Sequence, residues 1–318
     1  MVAPELKPSG IATLLQDELE TPPLTLRRLT WLRFRRHKLA MVGAIVLVLL
    51  FIYCFGGGLL LPESYANYND TSLRLTPPSA SHPFGTDQIG RDLLARTMNG
   101  GQISLLIGIV AVIIETFVGV LIGALAGYYG GFIDNLLMRI TEAMLNIPEI
   151  FLLIVMAKLF GGKIPSIEFM GREFSGSVIV IIMIIGVTSW MYLARIVRAE
   201  FLSIKENEYI LAARATGTSN FAIIFQHILP NSIAPIIVSA TLGVANAILN
   251  EAYISFLGLG VQPPTATWGN MMDAANKYFF EAPWLWFFPG LLILLTVLSI
   301  NFLGDGLRDA IDPHSRAA

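Results

Sequence analysis

The chain has 318 residues, of which 54% are hydrophobic and only 14% are charged. Soluble domains carry about 25% charged residues, so this composition predicts a membrane protein with several spanning segments. The formal charge of −2 gives no reason to expect a nucleic-acid partner, and four histidines that lie singly argue against a metal site. The single cysteine, Cys54, excludes an intrachain disulfide.

The apolar pattern predicts six membrane-spanning helices, because a bilayer core of about 30 Å requires roughly 20 helical residues. The third segment is the least regular, since it contains Arg139, Glu142, Pro148, Glu149 and Lys158. The sequence therefore predicts an all-α polytopic membrane protein. The predicted spans are Leu39–Leu61, Ile103–Gly127, about Leu136–Phe160, Ser177–Ala194, about Ser232–Gly258 and Trp284–Gly304.

Basic residues predict the orientation of these spans, because cytoplasmic loops carry an excess of Lys and Arg. With the N-terminus inside, fourteen basic residues lie on the cytoplasmic side and seven lie outside. We therefore expect a multi-pass protein of the cell (inner) membrane with both termini in the cytoplasm. The predicted organisation is a cytoplasmic segment 1–38, a first span 39–61, an outer loop 62–102, a core 103–308 with a cytoplasmic loop 195–231, and a cytoplasmic tail 309–318.

The segment before the first span contains the basic stretch LRRLTWLRFRRHK. Trp31 and Phe34 lie among its arginines, which is typical of an amphipathic helix at a membrane surface. The alternative is a basic flank that only fixes the orientation of the span. The apolar run 39–61 exceeds the h-region of a cleaved signal peptide, so we interpret it as a retained anchor.

Span two carries a series of glycines. Gly119, Gly123 and Gly127 are four residues apart, a spacing that puts small residues on one helical face and lets two helices approach closely in lipid. We expect this face to pack, either within the chain or against another subunit. A substrate path along the same face is the alternative interpretation.

Glu115 is the only charged residue of span two. Counted from Ile103, it lies about 18 Å into the predicted helix, near the bilayer middle, where a charge costs at least about 2.5 kcal/mol. Two interpretations stay open. Either Glu115 lines a translocation cavity and contacts the positively charged end of a substrate, or it is protonated and bonds to a neighbouring helix.

The stretch EYILAARATGTSNFAIIFQHILP predicts two short helices between spans four and five. Asn207 is the expected N-cap of the first helix, with Glu208 in its first turn. Gly217 suits the C′ position, where φ is positive, and Ser219 is expected to cap a second helix that ends near Pro230. A helix of about ten residues is too short to be stable alone in water, so it needs a partner surface. An ordinary connecting loop is the alternative.

The same stretch resembles the cytoplasmic signature of permease subunits of binding-protein-dependent ABC importers, in which an EAA triplet, a glycine and a final I-x-L-P lie at fixed spacing. Leu211 replaces the glutamate and His227 replaces the isoleucine, and both departures resemble the C-type permeases of dipeptide and oligopeptide importers. HPFGTDQIGRDLLAR, GYYGGFIDNLLMRI and EAYISFLGLGVQPPTATWGNMM resemble the same branch. The signature positions are Leu211, Ala212, Ala213, Gly217, His227, Leu229 and Pro230.

The resemblance implies an ABC importer permease fold that forms half of a pathway for peptides. The implied partners are a second homologous permease, two ATPase subunits, an extracytoplasmic substrate-binding protein and the lipid membrane. ATP and Mg²⁺ are expected on the ATPase subunits, because this chain has no Walker A loop, and the chain itself is not expected to be an enzyme. The residues implied in coupling to an ATPase are Glu208, Tyr209, Leu211, Ala212, Ala213, Arg214, Gly217, His227, Leu229 and Pro230.

Other polar and aromatic residues have expected places as well. Asp87, Arg91 and Asp92 either contact the substrate-binding protein or cap a surface helix. Glu251 falls in the outer half of span five, and its motif suggests a place near an outer gate. The sequence also places Trp268, Trp284 and Trp286 at the membrane interface.

Alternatives from other classes stay open. One is a secondary transporter or channel driven by an ion gradient, with Glu115 and Glu142 as proton carriers. Another is a membrane scaffold whose alanine-rich loop anchors a cytosolic protein. Within the importer interpretation, nickel complexes, glutathione or oligosaccharides are alternative cargo.

Overall fold

The computed structural model describes residues 26–169, 172–273 and 275–311. Within these ranges the regular secondary structure is helical apart from one two-stranded hairpin. Four helices are long and apolar enough to cross a membrane, and two bent helix pairs raise this number to six if each pair is one span. The all-α fold agrees with the sequence. The expectations for 1–25 and for 312–318 lie outside the described residues.

The basic N-terminal helix is held on the last helix of the chain. Phe34 is buried with Ala40 and Ala310, and His37 caps the next helix by accepting a hydrogen bond from the Ala40 N–H at Nδ1 (3.1 Å). The first span then follows the predicted range closely. Its elements are α1 (Leu26–Arg36), α2 (Lys38–Phe51), a π-helical turn (Ile52–Gly56) and α3 (Gly57–Leu60).

The second membrane helix begins earlier than Ile103, the predicted start. Asp92 caps its first turn by accepting the Ala95 N–H at 2.8 Å, and Arg96 in the same turn is buried. The last residues of the predicted outer loop 62–102 are therefore helical. The elements are α4 (Glu63–Ala66), a 3-10 turn (Thr71–Leu73) and α5 (Leu93–Tyr129), which has 37 residues.

The predicted third span is wrong as a single helix. It consists of two helices that are bent by 88°, because Pro148 has no amide hydrogen and disfavours a helical residue before it. The fourth span is likewise bent by 40° and continues past Ala194, its predicted end. The elements are α6 (Gly131–Leu145), α7 (Glu149–Phe160), β1 (Ile167–Phe169) paired antiparallel with β2 (Arg172–Phe174), α8 (Gly176–Thr188) and α9 (Met191–Ile204).

The remaining helices belong to the loop between spans four and five, to the last two spans and to the segment between those spans. The first residues of the predicted loop 195–231 belong to α9. The last helix extends past Gly304 and into the predicted tail 309–318. The elements are α10 (Glu208–Ala215), α11 (Asn220–Ala222), a π-helical segment (Ile223–Ile228), α12 (Leu229–Asn231), α13 (Ile233–Phe256), α14 (Trp268–Met271), α15 (Ala275–Tyr278) and α16 (Trp284–Ile311).

Helix α5 is the centre of the fold and packs against α8, α9 and α13. The glycine series faces α9. A Cβ atom added at Gly123 would lie 2.5 Å from the Ala194 carbonyl oxygen, and one at Gly127 would lie 2.6 Å from Cβ of Phe201. Glycine therefore permits the close approach of α5 and α9, and the packing surface lies within the chain.

Candidate functional site

The loop between α9 and α13 is anchored on the helix bundle through one apolar side chain. Ile210 of α10 is fully buried in a cluster with Phe201, Ile223 and Ile228. Since an eight-residue helix does not hold its shape alone in water, this contact fixes α10 to the end of α9. The loop is therefore packed onto the membrane helices.

The ends of the two short helices lie at the residues predicted for them. Gly217 has φ +84°, and the Ser219 hydroxyl accepts a hydrogen bond from the Ala222 N–H at 3.3 Å. Asn207 occupies the N-cap position of α10, but its side chain makes no capping hydrogen bond. The predicted N-cap position of Asn207 is therefore confirmed, without the side-chain hydrogen bond that a capping asparagine can accept.

The second helical segment ends at Asn231, next to Pro230, as predicted. The backbone stays helical through Asn231, because proline is tolerated in the first turn of α12. The Asn231 amide donates to the His227 carbonyl oxygen at 2.6 Å, and the Ser232 hydroxyl donates to that of Ile228 at 3.0 Å. These bonds shape the bend through which the loop enters α13.

Part of the surface of this loop is apolar. We define the loop patch as the side chains of Tyr209, Leu211, Ala212, Phe221 and Phe225, all of which are exposed. Phe221 is 70% exposed and Phe225 is 50% exposed, and their ring centroids lie 4.4 Å apart. Exposed apolar patches mark interaction sites. Neither phenylalanine was among the coupling residues predicted from the sequence, although two aromatic residues one helical turn apart in a loop are a recognisable signal of a contact surface.

The other residues implied in coupling have different environments. The Arg214 guanidinium lies 5.8 Å from the centroid of the Tyr128 ring, and the Tyr128 hydroxyl donates to Asn220 Oδ1 at 2.7 Å. These contacts tie α10 and α11 to the end of α5. Glu208, Gly217 and Pro230 are exposed, whereas Ala213, His227 and Leu229 are half-buried.

Ion pairs connect the helices next to the loop. Arg198 of α9 donates two hydrogen bonds to the Asp134 carboxylate of α6, at 2.5 and 2.7 Å. Lys205 Nζ donates to the Gly127 carbonyl oxygen at 3.0 Å and so joins the end of α9 to α5. A wide cavity of about 750 Å³ opens beside these bonds. We call it the loop-end cavity; Asp134, Arg139, Glu142, Tyr192, Arg195 and Ile196 are among its lining residues.

A second cavity lies near the middle of α5 and α13. Its volume is about 380 Å³, and Glu115 is one of its lining residues. We call it the central cavity. Glu149 at the start of α7 shares it, together with Asn246 and Asn250 of α13. Glu115 therefore lines a cavity that also contains other polar side chains.

Glu251, by contrast, is fully buried in packed protein. The Ser255 hydroxyl donates to its Oε1 at 2.7 Å, and the Ser104 hydroxyl donates to its Oε2 at 3.2 Å. The backbone N–H of Trp268 in turn donates to the Ser104 hydroxyl at 3.1 Å. Glu251 thus joins α13, α5 and α14; its place at an outer gate stays a prediction.

The polar residues before α5 form a buried ionic network. Asp87 receives hydrogen bonds from the backbone and Nε of Arg91, and Asp92 pairs with His82 Nδ1 at 2.8 Å besides capping α5. Both carboxylates are buried, while Arg91 is half-buried. This arrangement supports the capping alternative for Asp92, and contact with a binding protein stays a prediction.

Comparisons with known proteins agree over most of the chain. The family described as "Binding-protein-dependent transport system inner membrane component" matches residues 119–317, and "N-terminal TM domain of oligopeptide transport permease C" matches residues 25–78. The dipeptide transport system permease protein DppC of Bacillus subtilis (strain 168) is 41% identical over 302 residues, which covers 94% of this chain and 89% of the relative. The oligopeptide permease OppC of the same organism is 36% identical and covers 94% and 93%.

A solved structure supports the fold independently. The MetNI methionine ABC transporter, in an inward-facing conformation, contains a chain that matches with a TM-score of 0.52. The match covers 67% of this chain and 94% of that chain. Because the two sequences are only 19% identical, this likeness concerns the arrangement of the helices alone.

Proposed function

Because the chain belongs to the family of binding-protein-dependent transport system inner membrane components and is a permease subunit of the dipeptide and oligopeptide type, we propose that it forms half of the translocation pathway of an ATP-driven importer of peptides. The observation that carries this proposal is the 41% identity to a dipeptide permease over 94% of the chain. The ion-driven transporter and the scaffold alternatives have no comparable support.

In this proposal the loop patch docks in a groove of an ATPase subunit. Burial of Leu211, Phe221 and Phe225 against that subunit would stabilise the contact, at about 25 cal/mol per Å² of apolar surface removed from water. The small side chain of Ala212 lets the ATPase surface approach the backbone of α10. Glu208, exposed in the first turn of α10, is a polar contact at the rim.

Movement of the ATPase would reach the membrane through two connections. Ile210 joins α10 to Phe201 of α9, and Arg214 stacks on Tyr128 at the end of α5. Because α5 and α9 are packed together through the glycine series, both helices move as a unit when α10 is displaced. Alternating access then follows from the motion of this unit against the second permease.

The remaining subunits complete the proposal. A second permease covers the exposed apolar side chains of α6 and α7, among which Phe132 is 79% exposed and Phe151 is 67% exposed. The substrate-binding protein delivers peptides at the opposite end from the loop, near Arg91. ATP and Mg²⁺ bind to the ATPase subunits, so this chain has no catalytic residue of its own. Both termini and the loop lie in the cytoplasm.

Co-purification from native membranes tests this proposal. The wild type is expected to retain a second permease and ATPase subunits, whereas Gly217→Asp is expected to retain the permease and lose the ATPases. Gly258→Asp is the matched control, because Gly258 also has positive φ (+72°), and at both positions an added Cβ would have no described heavy atom within 4 Å. A wild-type chain that purifies without any ATPase would overturn the proposal.

A further inference from the structure

The central cavity is unusual for the middle of a membrane protein because its polar residues include two acids and no base. Glu115 comes from α5, Glu149 from the start of α7, and Asn246 and Asn250 from α13. An ionised carboxylate at membrane depth must be solvated or paired. No basic residue of the described ranges lines this cavity, so a positively charged partner for either carboxylate has to come from a ligand.

Glu149 is held in a fixed position within this cavity. Its Oε1 accepts hydrogen bonds from the Asn250 amide at 2.8 Å and from the Ser189 hydroxyl at 3.3 Å. The 88° bend before α7 brings Glu149 to this place. Among the described residues, no hydrogen-bond donor contacts its Oε2.

Glu115 is positioned by the backbone of α13. A Cβ atom added at Gly243 would lie 3.4 and 3.5 Å from the two carboxylate oxygens of Glu115. The carboxylate thus rests on the side of α13 where the glycine leaves room. No hydrogen-bond donor contacts either oxygen within the part of the chain that the structure describes, so both remain available to a ligand.

The central cavity adjoins the loop-end cavity along α9. Tyr192 and Ile196 of α9 line both, so one wall extends from Glu115 to Arg195 near the loop. A peptide that leaves the central cavity along this wall would meet Arg139 and Arg195 next, and their positive charges suit its carboxylate end. In the direction of import, the charged side chains along this wall are first acidic only and then both acidic and basic.

We propose that this wall is a section of the translocation pathway and that Glu115 and Glu149 bind the free α-ammonium group of the transported peptide. The proposal rests on the function proposed above. Every peptide with a free amino end carries this group whatever its side chains are, so the contact suits a carrier of varied peptides. The attraction is strong because two carboxylates act together where the effective dielectric constant is low.

The first experiment measures the electrostatic potential in the central cavity in the absence of peptide. Asn246→Cys, in the assembled complex in proteoliposomes, is treated with a trimethylammonium-ethyl or a sulfonatoethyl methanethiosulfonate. The extent of modification is determined from the intact mass of this chain. Cys54 is the chain's single cysteine and is fully buried, so the parent chain gives the background.

The cationic reagent is expected to react faster than the anionic one. Adding Glu115→Gln is expected to lower the ratio of the two rates about tenfold, which corresponds to about 1.4 kcal/mol. Glu281→Gln is the control, because Glu281 is exposed between α15 and α16 and lines neither cavity. A thiol that reacts with neither reagent, or a ratio that Glu115→Gln leaves unchanged, would overturn the proposal.

The second experiment measures transport by the same complex. The quantity is peptide imported per ATP hydrolysed, for a peptide with a free amino end. Glu115→Gln and Glu149→Gln are each expected to lower it about tenfold, and Glu281→Gln to leave it unchanged. Wild-type yields in both glutamate variants would contradict the proposal. Failure of the proposed function is a different result, namely a wild-type complex without ATP-dependent uptake.

Discussion

Replacing Ile210 by alanine separates the attachment of the loop to the membrane helices from its attachment to an ATPase. Ile210 is fully buried among Phe201, Ile223 and Ile228, and Ile→Ala at such a site costs about 2–5 kcal/mol. A loss of about 2 kcal/mol lowers the ratio of docked to undocked α10 roughly 30-fold. Because the loop patch is unchanged, the ATPases are expected to remain bound.

The assay compares ATP hydrolysis with uptake in proteoliposomes. In Ile210→Ala, hydrolysis is expected to continue while peptide imported per ATP falls at least tenfold. The contrasting variant is Leu211→Ala on the same helix, where Leu211 is 47% exposed in the loop patch. It is expected to weaken ATPase binding and to keep the yield per ATP of the complexes that remain. A wild-type yield in Ile210→Ala would refute the role of this anchor.

Three further predictions concern the patch, the packing and the capping. Phe221→Ala is expected to weaken binding of the ATPase about tenfold in a pull-down titration, whereas Phe117→Ala, at a 70% exposed position of α5 outside the loop, is not. Gly123→Val is expected to abolish the folded chain in detergent, since a Cβ there would lie 2.5 Å from the Ala194 carbonyl oxygen; Leu121→Val is the control. Asp92→Ala is expected to lower the free energy of unfolding by about 1 kcal/mol, and Asp92→Asn by less, because asparagine also caps helices.

Local sequence patterns predicted the local features of the fold. Gly217 has the positive φ expected at a helix end, and Ser219 caps the helix that follows. The series from Gly119 to Gly127 predicted a packing face, because residues four apart share one side of a helix. Each of these inferences needs information from only a few neighbouring residues.

The errors concern contacts between residues far apart in sequence. Trp268 was placed at the membrane interface but is fully buried, with its Nε1–H donating to the Thr97 carbonyl oxygen at 2.9 Å. Glu149 stood out only as a charge in a weak span, because the bend that carries it to Asn250 and Glu115 depends on tertiary packing. Hydropathy cannot show which helix faces which, so the central cavity was not visible in the sequence.

The most direct test of the central claim is the energy source of peptide uptake by the purified complex in proteoliposomes. Dipeptide accumulation is expected to require ATP, the substrate-binding protein and the loop, to stop on addition of vanadate, and to persist when an ionophore collapses the ion gradients. Accumulation without ATP that is driven by an imposed proton gradient and abolished by the ionophore would contradict the account. In that case Glu115 and Glu142 would be the first proton carriers to test.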